Sequence, residues 1–517
     1  MDSLPKIPDI PEQERTGWVV FLLELCAKLR TCIQKLKDEN ALLKKQKIRP
    51  TITPSLLNQE KKTKEKSKRP PHSGKRSKKT VIHYTVKIRP THIPEESRFK
   101  GYQNYKIQDI EFQLKNTLYR LERWQMPDGR HVVGQLPNDV AGHFGAGLRS
   151  FILYQYYHAH VTQPLILELL HEWGIDISAG QINNILIANK EEFHSEKMGI
   201  LKSGLKFSRY IHTDDTGARH NGKNGYCTHI GNEHFAWFAS TQSKSRINFL
   251  ELLRAGHEDY VLNTPAFEYM QRQKLPRDIL QKLEALSQNS FDAADWLAAL
   301  ATLDLSPRHI QIITEGALLG SALAHGMNPN LAIMSDDAGQ FNILLHILCW
   351  IHAERTIKKQ IGFNEEQRQA LDGMLDQIWD FYRELKSYKL APSSDRAMAL
   401  TKRFDEIFLS QTCYVSLNKA LNRIYKNKDE LLRVLADPNL PLNNNLSEGD
   451  IRDYVKIRKI SGSTRSAEGR RSRDTFASLK KTSRKLKVSF WLYIQDRIYK
   501  RNKISLLGDI IPSGASP

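Results

Sequence analysis

The chain has almost no cysteine. Five thiols in 517 residues, Cys26, Cys32, Cys227, Cys349 and Cys413, are odd in number and scattered. That excludes a disulfide scaffold and points to a reducing compartment. No run of about 18 apolar residues occurs, so a membrane span is not expected. The opening stretch MDSLPKIPDIPEQER is acidic and carries prolines, unlike a signal peptide. Acidic side chains are also in deficit overall: 57 Asp+Glu face 77 Lys+Arg, a formal charge of +20 and a pI near 9.5. Such an excess suits a polyanionic partner, nucleic acid before an anionic membrane surface. With 40% hydrophobic residues the chain can bury a sizeable core, and about 150 residues per domain allows about three domains. These balances describe a cytoplasmic protein that faces nucleic acid.

Residues 17–46 carry a heptad pattern. Leu22, Leu29, Leu36 and Leu43 recur every seven positions, with Val19, Cys26, Ile33 and Asn40 on the alternate seam. Leucine at one seam and a single polar residue on the other is the pattern of a parallel dimeric coiled coil. The reading is therefore an N-terminal zipper over residues 1–50, with Leu22, Leu29, Ile33, Leu36, Asn40 and Leu43 as its dimerising residues. An amphipathic helix packed on its own domain is the alternative. Residues 51–95 form a basic linker: ten of the nineteen residues from Lys61 to Lys79 are Lys or Arg, among Pro70, Pro71 and Gly74. Such a composition cannot form a packed core, but it can contact phosphates without sequence preference.

Residues 96–205 read as helical, with breaks at GAG and WGIDISAGQ. A helix, a turn containing glycine and a second helix suit a helix-turn-helix, with Gln181–Asn189 as the candidate recognition helix. A plain helical domain explains the same pattern. The character changes near residue 206. SRYIHTDD, GYCTHIG and HFAWFAST are three β-type runs that read as an antiparallel meander, and LAIMSDD is a strand that follows much later. A further strand is expected near Leu348–Ile351. Strands followed by α/β units suggest a mixed sheet flanked by helices, an α/β (α+β) fold.

Two of these strands end in paired carboxylates, Asp214/Asp215 and Asp336/Asp337. Metal-dependent phosphodiester chemistry uses acids to hold divalent ions about 4 Å apart, and Mg²⁺ takes oxygen ligands. A basic surround is available in residues 452–487, where 13 Lys+Arg are opposed only by Asp453, Glu468 and Asp474, with Glu448 just before it. An Asp that follows a strand is equally a turn former or helix cap, so the doublets alone identify no enzyme.

Three blocks together carry a resemblance. HTDDTGARHNGKNGYCTHIGNEHFAWF, SDDAGQFNILLHILCWIHAERTIKK and NNNLSEGDIRDYVKIRKISGSTRSAEGRR, in this order, resemble the acidic blocks of a DDE transposase of the insertion sequence 66 family, found in bacterial mobile elements. The zipper, basic linker and helical region match that family's layout as well. The resemblance implies an RNase H-like catalytic domain over residues 206–500, with helical insertions at about 255–330 and 364–440 and a tail at 501–517. It implies Asp214, Asp336 and Glu448 as catalytic metal ligands for Mg²⁺, with Mn²⁺ as a substitute. It selects Asp214 over Asp215 and Asp336 over Asp337, a choice that strand alternation leaves open.

The implied activity is cleavage at the ends of an insertion sequence and strand transfer to target DNA. Arg452, Lys456, Arg458, Lys459, Arg465, Arg470, Arg471 and Arg473 would grip double-stranded DNA, and His212, Cys349 and His352 would be structural residues near the site. The implied state is a homodimer or higher multimer in the bacterial cytoplasm, associated with the nucleoid, with accessory proteins of the same element as further partners. Two departures stand out. Residues 80–140 contain no cysteine where the family often has a zinc module, so no zinc site is expected, and CWIH supplies only two of four ligands. The third block has Gly449 where the family has arginine after the glutamate. Rival readings are a metal-dependent nuclease of the same fold and a non-catalytic DNA-binding protein derived from a transposase.

Overall fold

Five short runs, most of their residues buried in succession, pair into one sheet. The computed structural model describes residues 16–17, 19–27, 29, 82–110, 113–137, 142–286 and 289–514. The described residues between 17 and 29 are helical; Ile33, Leu36, Asn40, Leu43 and the basic run 61–79 lie outside the described residues. Two units divide the chain, residues 58–118 and the remainder. In the first, described residues 82–110 and 113–118 are exposed and form neither helix nor strand.

In the larger unit a short hairpin (Arg123–Gln125 with His131–Val133) precedes four helices: α1 (Ala146–Tyr157), α2 (Gln163–Glu172), α3 (Ala179–Ile187) and α4 (Glu191–Phe207). Residues 100–145 are thus a correction to the sequence reading, since none of the described residues in that stretch is helical and helix resumes at Ala146. The apolar residues of that stretch explain why. Tyr105, Ile107 and Ile110 are 89%, 79% and 76% exposed, and a short helix with no surface to pack on has little to stabilise it.

Three strands follow, β1 (Tyr210–Gly217), β2 (Tyr226–Gly231) and β3 (Ala236–Thr241). Five helices come next: α5 (Arg246–Leu253), α6 (Thr264–Arg272), α7 (Arg277–Glu284), α8 (Ala293–Ala301) and α9 (Pro307–Ala324). The chain then returns to the sheet as β4 (Ala332–Ser335) and β5 (Leu345–Leu348). Beyond it lie α10 (Trp350–Lys358), α11 (Glu365–Leu390), α12 (Ser394–Phe408) and α13 (Val415–Lys426). The last helices are α14 (Asn445–Ser461), α15 (Ala467–Lys485), α16 (Phe490–Ile498) and α17 (Leu507–Gly514).

The sheet order is β3-β2-β1-β4-β5. β1–β2 and β2–β3 are antiparallel, while β1–β4 and β4–β5 are parallel. The fifth strand lies three residues before the expected position. The apolar run ILLHILCWI has no alternation to mark its start, and Trp350 already belongs to a helix.

The helices between β3 and β4 have a core of their own around Met270, Trp296 and Ile313. Those after α10 bury Trp350, Phe381, Phe404 and Phe408. A sheet edge exposes N–H groups that invite pairing. At β3 those groups are satisfied by α15: Ser478 and Thr482 hydroxyls accept from Phe238 and Ala236, and Asp474 accepts from Ser240. Residues 474, 478 and 482 stand at i, i+4 and i+8, so one helix face presents all three acceptors.

Candidate active site

Asp214 lies within β1 and Asp336 directly follows β4. His212 pairs with Met334 in the parallel register, and two residues further along each strand come Asp214 and Asp336. Side chains two apart share a face, so the two acids emerge side by side. Glu448 stands in the first turn of α14.

Asn444, fully buried at the start of α14, places that helix. Its side-chain amide donates to the Thr213 carbonyl at 2.9 Å and its Oδ1 lies 2.9 Å from His212 Nδ1. Its backbone N–H donates to Cys349 Sγ at 3.2 Å. One residue thereby joins β1, the start of α10 and the helix that carries Glu448.

Burial first, and then the charges of Asp336, Asp215 and Glu448, push the Asp214 carboxyl up to about 7. One Asp214 oxygen accepts the Asp215 N–H at 2.7 Å, and one Asp336 oxygen accepts the Ala338 N–H at 3.2 Å. Each keeps a second oxygen that takes no hydrogen bond among the described residues.

The partners of each doublet point elsewhere. Asp215 accepts from Thr228 on β2 at 2.5 Å and from Gln340 at 3.1 Å, and burial raises its carboxyl. Asp337 is bound by Arg423 of α13, and by Asn427 at 3.4 Å. It ties the strand end to the second group of inserted helices.

Glu448 is held by Arg355 of α10. Arg355 Nη1 lies 3.0 Å from Oε1 and Nη2 3.5 Å from Oε2. His352, one turn earlier, has Nε2 at 4.0 Å from Glu448 Oε1. Asp336 and Glu448 both act on the His352 ring, which burial biases toward its neutral form. With Glu448 turned to arginine, no group of three or more His, Cys, Asp or Glu side chains among the described residues is arranged to hold a metal ion.

A second layer supports these residues. His229, opposite Asp214 in the β1–β2 register, lies 2.7 Å from Ser447 Oγ and 3.1 Å from Asp450 Oδ2. Asp450 also pairs with Lys485 at 2.7 Å and Lys481 at 3.3 Å; despite burial, His229 first and then Lys485 hold its carboxyl well below the usual carboxylate range. The sequence reading quoted Arg355 in CWIHAER without assigning it a role, and it passed over His229, Asn444 and Asp450.

The basic residues divide by environment. Arg452, Lys456, Lys459, Arg465 and Arg471 are exposed and Arg470 is half-buried. Arg458 reaches Thr216 Oγ1 at 3.5 Å. Arg473 is buried and donates to the Gly462 carbonyl and Ser461 Oγ at 2.9 and 3.0 Å, which commits it to a turn. In the expected recognition helix, α3, Ser178 and Gln181 form a reciprocal cap at 2.8 and 3.2 Å, Ile182 and Leu186 are buried, and Gln181 and Asn184 are exposed.

Comparison with known proteins places the chain in a family. An uncharacterized protein of Sinorhizobium fredii, y4jO, is 43% identical over 303 residues, spanning 58% of this chain and 94% of that protein. The family model described as Transposase IS66 family matches residues 325–472. The chain belongs to the IS66 transposase family. The matched residues of this transposase include Asp336, His352, Arg355, Glu448 and most of the basic stretch, while Asp214 lies outside them. As a member of a transposase family it acts on DNA. None of its described helices is long and apolar enough to cross a membrane.

Proposed function

We propose that this transposase cuts DNA at the ends of its element and joins them to target DNA by a DDE reaction on an RNase H-like sheet. Asp214, Asp336 and Glu448 are the carboxylates for two Mg²⁺ ions, with Mn²⁺ as a substitute. The observation that carries this reading is that Asp214 on β1 and Asp336 just after β4 lie on adjoining parallel strands of a β3-β2-β1-β4-β5 sheet, with Glu448 on the helix that Asn444 docks against β1. Sheet order supports the RNase H-like reading: β1 is central, antiparallel to one neighbour and parallel to the other. The donor set supports the metal. Carboxylate oxygens suit a hard divalent cation, and a cation would relieve the like charges around Asp214. Bound there, the ions would activate the attacking oxygen and neutralise charge on the phosphate.

The protein's own part is to hold and orient. Asn444 fixes the approach of α14 to β1, and the His229–Asp450 pair fixes its rotation. Exposed Arg452, Lys456, Lys459, Arg465 and Arg471, with Arg458 and Arg470 beside them, contact the phosphate backbone, while Arg473 maintains the turn between α14 and α15. The α2–α3 pair reads the element ends.

Dimerisation through the heptad seam is part of the proposal. Val20, Leu23 and Glu24 face Phe363, Cys413 and Tyr414, in the segments that lead into α11 and α13, and Glu24 pairs with Lys419 at 3.3 Å. Leu22 and Leu29 remain 53% and 52% exposed, which leaves the seam open to a second copy. Cleavage of DNA carrying the gene's own flanks, with Mg²⁺ or Mn²⁺ and with chelator as control, tests the catalytic reading. Cutting by wild type but not by Asp336→Asn or Glu448→Gln supports it, and equal cutting by those variants refutes it.

A further inference from the structure

The contact between Arg355 and Glu448 has a second meaning, which rests on the proposed role of Glu448 as a metal ligand. Of the three acids, only Glu448 has both oxygens engaged, and both go to one guanidinium. Asp214 and Asp336 each keep an oxygen clear of hydrogen bonds among the described residues. A guanidinium is permanently charged and forks to match a carboxylate, so Arg355 does electrostatically what a cation would do at that position. The ion pair is about one-fifth exposed at each partner, 23% at Arg355 and 21% at Glu448. At that depth neither charge is left unpaired without cost.

Arg355 is not saturated by this contact. Its Nε is buried without a hydrogen-bond partner, as is Nδ1 of neighbouring His352. The side chain also lines a cleft of about 300 Å³, in which Asp336, His352, Lys359 and Arg423 take part. Arg355 and Lys359 both line this cleft beside Asp336, while Arg423 is paired with Asp337, and two such cations can take a phosphate. A carboxylate whose two oxygens both go to one arginine can exchange that partner for a metal cation.

We propose that Arg355 is a latch on the active site. Arg355 holds Glu448, and full coordination of a divalent cation requires Glu448 to leave it. The freed guanidinium then turns into the cleft and takes a backbone phosphate of the DNA together with Lys359. Metal and DNA are thereby coupled: a phosphate on Arg355 releases Glu448 to the metal, and by linkage the metal tightens the hold on that phosphate. Arg355 is a positioning residue in this scheme.

The test is binding of Mn²⁺ to the full-length protein, followed by the electron paramagnetic resonance of free Mn²⁺, without DNA and with a DNA duplex. Wild type binds Mn²⁺ weakly alone and at least about tenfold more tightly with DNA. Arg355→Gln binds Mn²⁺ about tenfold more tightly than wild type without DNA and loses most of the DNA-dependent gain; Arg355→Lys, which cannot fork, falls between. Adding Glu448→Gln to Arg355→Gln removes the gain. Thermal unfolding without metal reports whether each variant is folded.

The two ideas fail differently. If Asp214→Asn and Asp336→Asn weaken Mn²⁺ binding but Arg355→Gln leaves it unchanged, the latch is wrong and the metal site stands. If none of the acid substitutions alters Mn²⁺ binding, the metal assignment itself is wrong.

Discussion

His229 faces Asp214 across the β1–β2 pair and bonds to Ser447 and Asp450, residues that flank Glu448 on α14. A single buried imidazole thus sets the distance between a strand-borne acid and a helix-borne one. Its substitution should therefore damage both fold and activity. His229→Ala leaves Ser447 and Asp450 without that partner inside the protein, which costs roughly 2–3 kcal/mol. Denaturant unfolding checks this, and DNA cleavage should fall by about 10- to 100-fold, as for groups that orient metal ligands. Wild-type stability and rate in that variant would remove His229 from the account.

The members of the second doublet should behave oppositely. Asp336→Asn is expected to abolish cleavage while preserving DNA binding. Asp337→Asn breaks the contact to Arg423 and Asn427, an exposed pair worth at most about 1 kcal/mol. Its cleavage rate should stay within about tenfold of wild type, and amide exchange in residues 415–431 should quicken. Loss of cleavage in Asp337→Asn with normal exchange would reverse the assignment.

One buried and two half-buried histidines make the protein acid-sensitive above the range of carboxylate titration. Burial lowers His158, His160 and His194 from 6.5 to about 4, helped at the first two by Lys480 and at the third by Arg471. A depressed folded value means that stability is complete above 6.5 and is lost as pH falls toward 4. Between pH 7 and 5 each site should cost roughly 1 kcal/mol after allowance for solvent screening. Denaturant midpoints at the two pH values measure the loss, and His194→Asn should reduce it. A stability independent of pH over this interval would contradict the burial argument.

Removing residues 1–46 should lower the mass measured by light scattering to that of a smaller assembly. Leu22→Glu with Leu29→Glu should do the same while leaving the Val20 and Leu23 contacts in place. An unchanged mass in both would exclude the zipper as the dimerising element.

Much of the sheet was legible because its strands alternate or run fully apolar between turn residues, as in SRYIHTDD and LAIMSDD. The acids were visible as doublets, and family resemblance separated Asp214 from Asp215. What hid the supporting residues was distance along the chain. Asn444 meets Thr213 across 231 residues, His229 meets Ser447 across 218 and Arg355 meets Glu448 across 93. No local pattern encodes such pairings. The helical reading of residues 100–145 failed for another reason. Tyr102, Tyr105, Ile107 and Ile110 are exposed, and a short helix with no apolar face to bury has little to stabilise it.

The most direct test of the central claim uses short DNA duplexes that carry the element's end with an exposed 3′-OH, mixed with plasmid target and Mg²⁺ or Mn²⁺. Wild type should join end to target, whereas Asp214→Asn, Asp336→Asn and Glu448→Gln should shift the end in a gel yet join none. Joining by any of these variants at the wild-type rate would contradict the account.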